Sequence, residues 1–197
     1  YKDNVIALEA VQPKDLEAGE VNVRLGATWI KPEYIKRFII EVLKPAIYNY
    51  PNIEVHYNKI TTKWTILGKG ADLNTLSTEV YGTKYISAYY LLEKALNLKT
   101  DIKIYENKVI NEQKTTVARK KQEKLCEKFQ EWIFSDPQRR RDVMRTYNDT
   151  FNSIRNREYD GSHLNFPGIN PEIKLRPHQV NAVARTIYGG NSLLAHV

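Results

Sequence analysis

Val21, Val23 and Leu25 alternate with Asn22 and Arg24, the period of two of a strand with one buried face. Gly26 then allows a turn. The period changes at Pro32, which suits the first turn of a helix because its missing N–H needs no partner there. Ile35, Phe38, Ile39 and Val42 follow at helical spacing, with Leu43 widening the stripe. A helix is predicted from Pro32 to just before Pro45. Trp29 precedes it and is placed to staple back onto its first turn. Ile53, Val55 and Tyr57 alternate with Glu54, His56 and Asn58, and Trp64 and Ile66 resume that period, which predicts an antiparallel hairpin. Before all of these, Val5, Ile6 and Leu8 suggest a short extended piece.

Val80, Tyr85, Ile86, Tyr89, Tyr90 and Leu92 predict a helix over 79–96, with Gly82 arguing against it locally. The tyrosines there are expected to pack rather than to meet a ligand. Ile102, Ile104, Val109 and Ile110 bracket Glu106-Asn107-Lys108, a second hairpin pattern. From 115 the chain turns charged. Val117, Leu125, Phe129, Trp132 and Ile133 mark a long amphipathic helix, Asp136-Pro137 caps the next, and Val143, Tyr147, Phe151 and Ile154 form its stripe. The short connection implies antiparallel neighbours. Residues 160–171 are loop-like, rich in Gly, Pro, Asn and Ser. Pro177 opens a last helix to about Ile187, followed by Gly189-Gly190 and an apolar strand, Ser192–Val197.

The fold class is therefore α+β. A small antiparallel sheet with helices occupies 1–112, a long helical hairpin 113–157, and a linker with a helix and strand 158–197. In 197 residues, 30 Lys and Arg face 23 Asp and Glu, a formal charge of +7 that makes an acidic partner worth testing. Residues 119–157 hold 11 Lys or Arg against 6 Asp or Glu, so most of the excess falls on the predicted hairpin. Arg119, Lys120, Lys121, Arg139, Arg140, Arg141 and Arg145 are candidates for contacts to the phosphates of duplex DNA. The interspersed Glu123, Glu127, Glu131 and Asp142 leave open a plain solvated face laced with ion pairs.

Catalytic chemistry finds little support. The one cysteine, Cys126, excludes a disulfide framework within the chain. His56, His163, His178 and His196 do not fall at metal-ligand spacing, so no metal site is expected. Gly161-Ser162-His163 reads as a polar turn closed by Asp160 and Ser162, because a nucleophile needs an oriented base and oxyanion donors as well. No apolar run reaches membrane-spanning length and Tyr1–Asn4 lacks the apolar core of a signal peptide, so no membrane partner and a cytoplasmic location are expected. Met144 is the only methionine. With the apolar last stretch, this suggests a piece of something longer.

The segment LRPHQVNAVARTIYGGNSLLAHV (175–197) resembles the opening of the SNF2-like, superfamily 2 helicase module of large mobile-element proteins. Such proteins also carry an N6-adenine DNA methyltransferase region upstream. NVIALEAVQPKDLEAGEVNVRLGATWI (4–30), KQEKLCEKFQEWIFSDPQRRRDVMRTYNDTFNSI (121–154) and REYDGSHLNFPGINPEIKLRPHQ (157–179) resemble their connecting region, and 45–110 does so more loosely. The resemblance implies that the last helix and strand start a truncated helicase α/β core. It also implies that Gln179, supported by Arg176, lies on the adenine side of ATP in the intact protein; read alone, Gln179 is an ordinary polar helix residue. ATP and Mg²⁺, with S-adenosylmethionine upstream, are implied for the parent protein and not for this stretch. Here no Walker A loop, acidic Mg²⁺ motif or Asn-Pro-Pro-Tyr motif is present. The expectation is a non-catalytic connecting segment whose partners are other domains of the same polypeptide and duplex DNA. Self-association through the terminal strand, or a structural and protein-interaction role without nucleic acid, are the alternatives.

Overall fold

The computed structural model describes residues 1–70, 73–154, 157–170 and 172–191. In chain order the elements are α1 (Lys2–Ala10), α2 (Pro32–Phe38), β1 (Glu54–Asn58), β2 (Lys63–Leu67), α3 (Ala88–Leu96), β3 (Tyr105–Glu106), β4 (Val109–Ile110), α4 (Glu112–Ser135), α5 (Pro137–Phe151) and α6 (Pro177–Gly189). A wide π-type turn, Ile39–Leu43, extends α2, and another, Leu76–Val80, precedes α3. The architecture is mixed α+β, with two small antiparallel two-stranded sheets and a hairpin-like pair of adjacent helices. The chain divides into two compact units, Lys14–Ser153 and one that joins Tyr1–Pro13 to the segment beginning at Ile154. The expected strand Ser192–Val197 lies outside the described residues.

In the larger unit the predicted apolar stripes converge. Phe38 of α2 meets Phe129 and Trp132 of α4 edge-on, with ring centroids 5.2 and 5.3 Å apart. Trp64, Ile66, Tyr89, Leu92 and Phe129 are fully buried. The hairpin pairs Tyr57 with Trp64 and Val55 with Ile66, so Val55, Trp64 and Ile66 face inward as the alternation requires. Its turn is set by Asn58, whose side-chain oxygen accepts from the N–H groups of Ile60 and Thr61 at 2.9 and 3.0 Å. The outer edge of β2 finds its partners on α3. Ile66 N–H donates to Glu93 at 2.7 Å, and Trp64 N–H donates to Asn97 at 2.9 Å. Two side chains four residues apart on a helix thus replace a third strand.

Four predicted elements differ. Val21, Val23 and Leu25 are buried and alternate with exposed neighbours, but they pair with no strand among the described residues. The period reports one-sided burial, and that needs no hydrogen-bonded neighbour. Val5, Ile6 and Leu8 are helical: Ala7, Leu8 and Ala10 are strong helix formers, and no residue of α1 is buried to impose another form. The helix predicted over 79–96 starts only at Ala88. Gly82 is wedged where a Cβ would lie 2.1 Å from the Ser77 carbonyl oxygen and 2.7 Å from the Ala88 nitrogen, so the chain bends there. Trp29 meets Tyr147 and Phe151 of α5, with ring centroids 5.4 and 6.0 Å apart, partners that a staple onto α2 does not foresee.

The smaller unit is held by its own contacts. Gly161 lies against the backbone of Val180, and its N–H donates to Asn181 at 3.0 Å. His163 Nε2 and the Tyr188 hydroxyl are 3.0 Å apart. Asp160 accepts from the Ser162 N–H and hydroxyl at 2.9 and 2.8 Å, so this stretch is the polar turn that its composition predicts.

Candidate nucleic-acid interface

The basic residues of α4 and α5 have separate local tasks. The last carbonyls of a helix lack partners within it. At the end of α4, Arg139 supplies them: its guanidinium donates to the carbonyls of Ile133 and Trp132 and to the Ser135 hydroxyl. It lies 3.6 Å from the Trp132 ring centroid and 3.7 Å from the Glu41 carboxylate, with only 2% of its side chain exposed. Arg140 donates to the Phe134 carbonyl at 2.9 Å. Asp136 in turn accepts from the Arg139 N–H at 2.8 Å and starts α5. Arg139 is therefore withdrawn from the surface and is corrected from phosphate contact to helix cap.

The other candidates are distributed. Lys121 donates to the carbonyls of Glu79 and Val80 at 2.6 and 3.1 Å, and Arg119 leans on the Ile102 carbonyl and Asp101. Arg145 pairs with Asp149 at 2.8 Å and lies 3.8 Å from Asp15. Arg141 bonds Gln138 at 2.9 Å. Lys120 is exposed and has no ion pair among the described residues. From Lys121 to the end of α4 is roughly 20 Å at the helical rise, so the two basic triplets do not form one patch. In the smaller unit, Gln179 Oε1 accepts from the Arg176 N–H at 2.9 Å, which locks the start of α6.

A denser basic face lies elsewhere, on the outer side of α3. One groove, of about 620 Å³, is lined by Lys69, Lys84 and Lys103 together with Tyr85, Tyr90 and Tyr105. A second, of about 450 Å³, is lined by Lys63, Lys94 and Lys99 and shares Tyr90. Glu93 is the one carboxylate that lines either groove among the described residues, and it is already committed to Lys69 at 2.8 Å and to the edge of β2. Lys103 pairs with Asp101 at 3.2 Å just outside. Lys63, Lys84, Lys94 and Lys99 have no ion pair among the described residues.

The tyrosines are presented by defined elements. Tyr89 is buried, whereas its neighbour Tyr90 is 48% exposed on the outer face of α3. Tyr85 projects from the turn Thr83–Ile86, closed by reciprocal backbone bonds of 2.8 and 3.2 Å. Tyr105 opens β3, where buried Ile102 and Ile104 turn Lys103 and Tyr105 outward. Lys69 lies 4.9 Å from the Tyr90 ring; Lys114 and Lys84 lie 4.5 and 5.1 Å from Tyr85. A hydrogen bond from Lys114 is the largest cause that lowers the Tyr85 pKa below its ordinary value. Helical spacing predicts that these tyrosines pack, and Tyr85 and Tyr90 do not. The readable signal was Lys84-Tyr85 beside Lys103-Ile104-Tyr105, with Ile104 buried between two outward residues.

A family model described as a domain of unknown function (DUF8437) matches residues 24–153. The chain belongs to that family. The matched span covers nearly all of the unit Lys14–Ser153, including both grooves and the α4–α5 pair. No curated protein and no solved structure matches the chain. No described helix is long and apolar enough to cross a membrane.

Proposed function

We propose that this chain is a non-catalytic part of a larger DNA-processing protein, one that holds nucleic acid by its phosphates and couples neighbouring modules. The observation that carries the reading is the lysine face around α3: six groove-lining lysines against one carboxylate that is already paired. Such a face gains counterion-release free energy from any polyphosphate strand and reads no sequence. The resemblance to helicase–methyltransferase proteins supplies the context, with ATP, Mg²⁺ and S-adenosylmethionine handled by flanking modules. Gln179 would reach adenine there only by exchanging its bond to the Arg176 N–H for the base.

The α4–α5 cations favour a second reading, a structural or protein-interaction role. Lys128–Glu131 and Arg145–Asp149 are pairs of the kind expected on a plain solvated face. Titration of a labelled DNA duplex at several salt concentrations separates the two. The first reading expects log K to fall linearly with log salt. Lys94→Ala with Lys99→Ala should then flatten the slope by about one for each phosphate no longer neutralised. A slope near zero, or no binding of either duplex or single strand at low salt, would reject it in favour of the second.

A further inference from the structure

We infer that the paired grooves around Tyr90 take a single strand of nucleic acid, its bases stacking on Tyr85, Tyr90 and Tyr105 while the groove lysines meet its phosphates. The inference rests on the reading above and adds the form of the nucleic acid. Lysines alone would suit a duplex equally well; the tyrosines are what discriminate. A single exposed tyrosine is ordinary on a protein surface. Here three, 43%, 48% and 60% exposed, line one groove together with Lys84, Lys69 and Lys103. A cationic groove that also carries aromatic platforms is the arrangement by which proteins hold unpaired strands, because every base offers a π-face whatever its sequence. In a duplex those faces are already stacked, so the rings would gain nothing from it.

Geometry supports a strand rather than a single nucleotide. Tyr90 belongs to both grooves, so the track continues from Tyr85 and Tyr105 past Tyr90 towards Lys94 and Lys99. The rings are also set in advance. Tyr90 is fixed by α3 next to buried Tyr89, and Tyr85 by its hydrogen-bonded turn, which lowers the ordering cost on binding. Lys84, which lies over Tyr85 with no ion pair among the described residues, ends a long flexible side chain and can swing to the adjoining phosphate when a base takes the ring face, while Lys69 stays on Glu93 and Lys114 on Glu106.

The test uses the full chain and labelled oligonucleotides of about 12 residues, single-stranded oligo(dT) and a duplex of equal length, at about 50 mM salt. Fluorescence anisotropy is expected to show tighter binding of the single strand. Tyr90→Leu and Tyr85→Leu are each expected to weaken it by about 5- to 100-fold, the range measured for loss of one stacking platform. Tyr90→Phe keeps the ring and should stay within about twofold. The tyrosine variants leave the salt slope unchanged, whereas Lys94→Ala lowers it. Thermal melts of each variant establish that the unit remains folded. Equal binding of strand and duplex, with Tyr90→Leu neutral, overturns the inference and leaves the phosphate-holding reading standing. No binding of either oligonucleotide rejects that reading and the inference with it. Polyglutamate bound as tightly as oligo(dT), with the tyrosine variants neutral, overturns the inference in favour of an acidic protein partner.

Discussion

Arg139→Ala should unfold the larger unit far more readily than either neighbouring arginine variant. The side chain satisfies two terminal carbonyls of α4, those of Trp132 and Ile133, in a site where it is 2% exposed. The Trp132 carbonyl keeps the Ser135 hydroxyl at 2.8 Å, whereas the Ile133 carbonyl loses its side-chain donor, and a buried acceptor left without one costs about 1–3 kcal/mol. Loss of the guanidinium from the Trp132 face adds up to about 2 kcal/mol in a desolvated position. Glu41 keeps its bonds from Arg37 and Trp132, each 2.6 Å, and so is not stranded. The expected cost is therefore about 1–5 kcal/mol, a sizeable share of the roughly 5–15 kcal/mol that holds a domain together. Trp29, Trp64 and Trp132 all lie in Lys14–Ser153, so tryptophan fluorescence during urea unfolding follows that unit alone. The midpoint should drop with the slope unchanged. Arg141→Ala, at an exposed site, should stay within about 0.5 kcal/mol. Arg139→Lys should fall between, because one ammonium cannot bridge both carbonyls while covering the ring. A cost below about 1 kcal/mol for Arg139→Ala would refute the capping role. The same geometry warns against replacing residues 139–141 together in a DNA-binding test, since a loss of binding would then report unfolding.

Three further outcomes follow from named contacts. Burial pushes the Glu41 pKa up, but the bonds from Arg37 and Trp132 and the charges of Arg37 and Arg139 outweigh it and hold it below the ordinary 4.5. A lowered folded-state pKa stabilises at neutral pH and is lost as pH falls through that lowered value. Glu41→Gln should thus cost up to about 1 kcal/mol at pH 7, limited by its partial exposure, and nothing once Glu41 itself is protonated; urea midpoints of the two proteins followed from pH 7 down into the acid range should converge. Burial, with Glu123 and Glu127 beside it, raises the Cys126 thiol above its ordinary value. Its reaction with a disulfide reagent at neutral pH should be slower than that of free cysteine and should recover in denaturant, and equal rates would show the thiol to be unshielded. Gly82→Ala should destabilise by about 1–3 kcal/mol, because its Cβ would press on the Ser77 carbonyl; an unchanged thermal midpoint would mean that the bend yields freely.

How much of this was legible depended on whether a pattern carries its own geometry. The hairpin Glu54–Leu67 and the helix beginning at Pro32 were readable, since each repeats one period over its full length and starts or ends at a distinctive residue. The Asp136-Pro137 cap was readable for the same reason. Val21–Leu25 was half-readable: alternation told which side chains are inside and nothing about a ladder. The run Arg139–Arg141 was misleading, because three adjacent residues on a helix point in three directions, and the charge count is blind to the one that turns inward. The groove was nearly invisible. Lys63, Tyr90 and Lys103 are far apart in sequence, and only the folding of α3 against β2 and α4 brings their elements to one face.

By itself, then, the sequence determined the α+β class, the order of most elements, the polar turn at Asp160 and the basic surplus. Each of these is set within one segment by side-chain period, capping chemistry or composition. Tertiary structure alone decided which cations are free, that Arg139 serves the end of α4, and that three tyrosines share one groove with lysines. These depend on distances between residues remote along the chain, which packing fixes and periodicity does not encode.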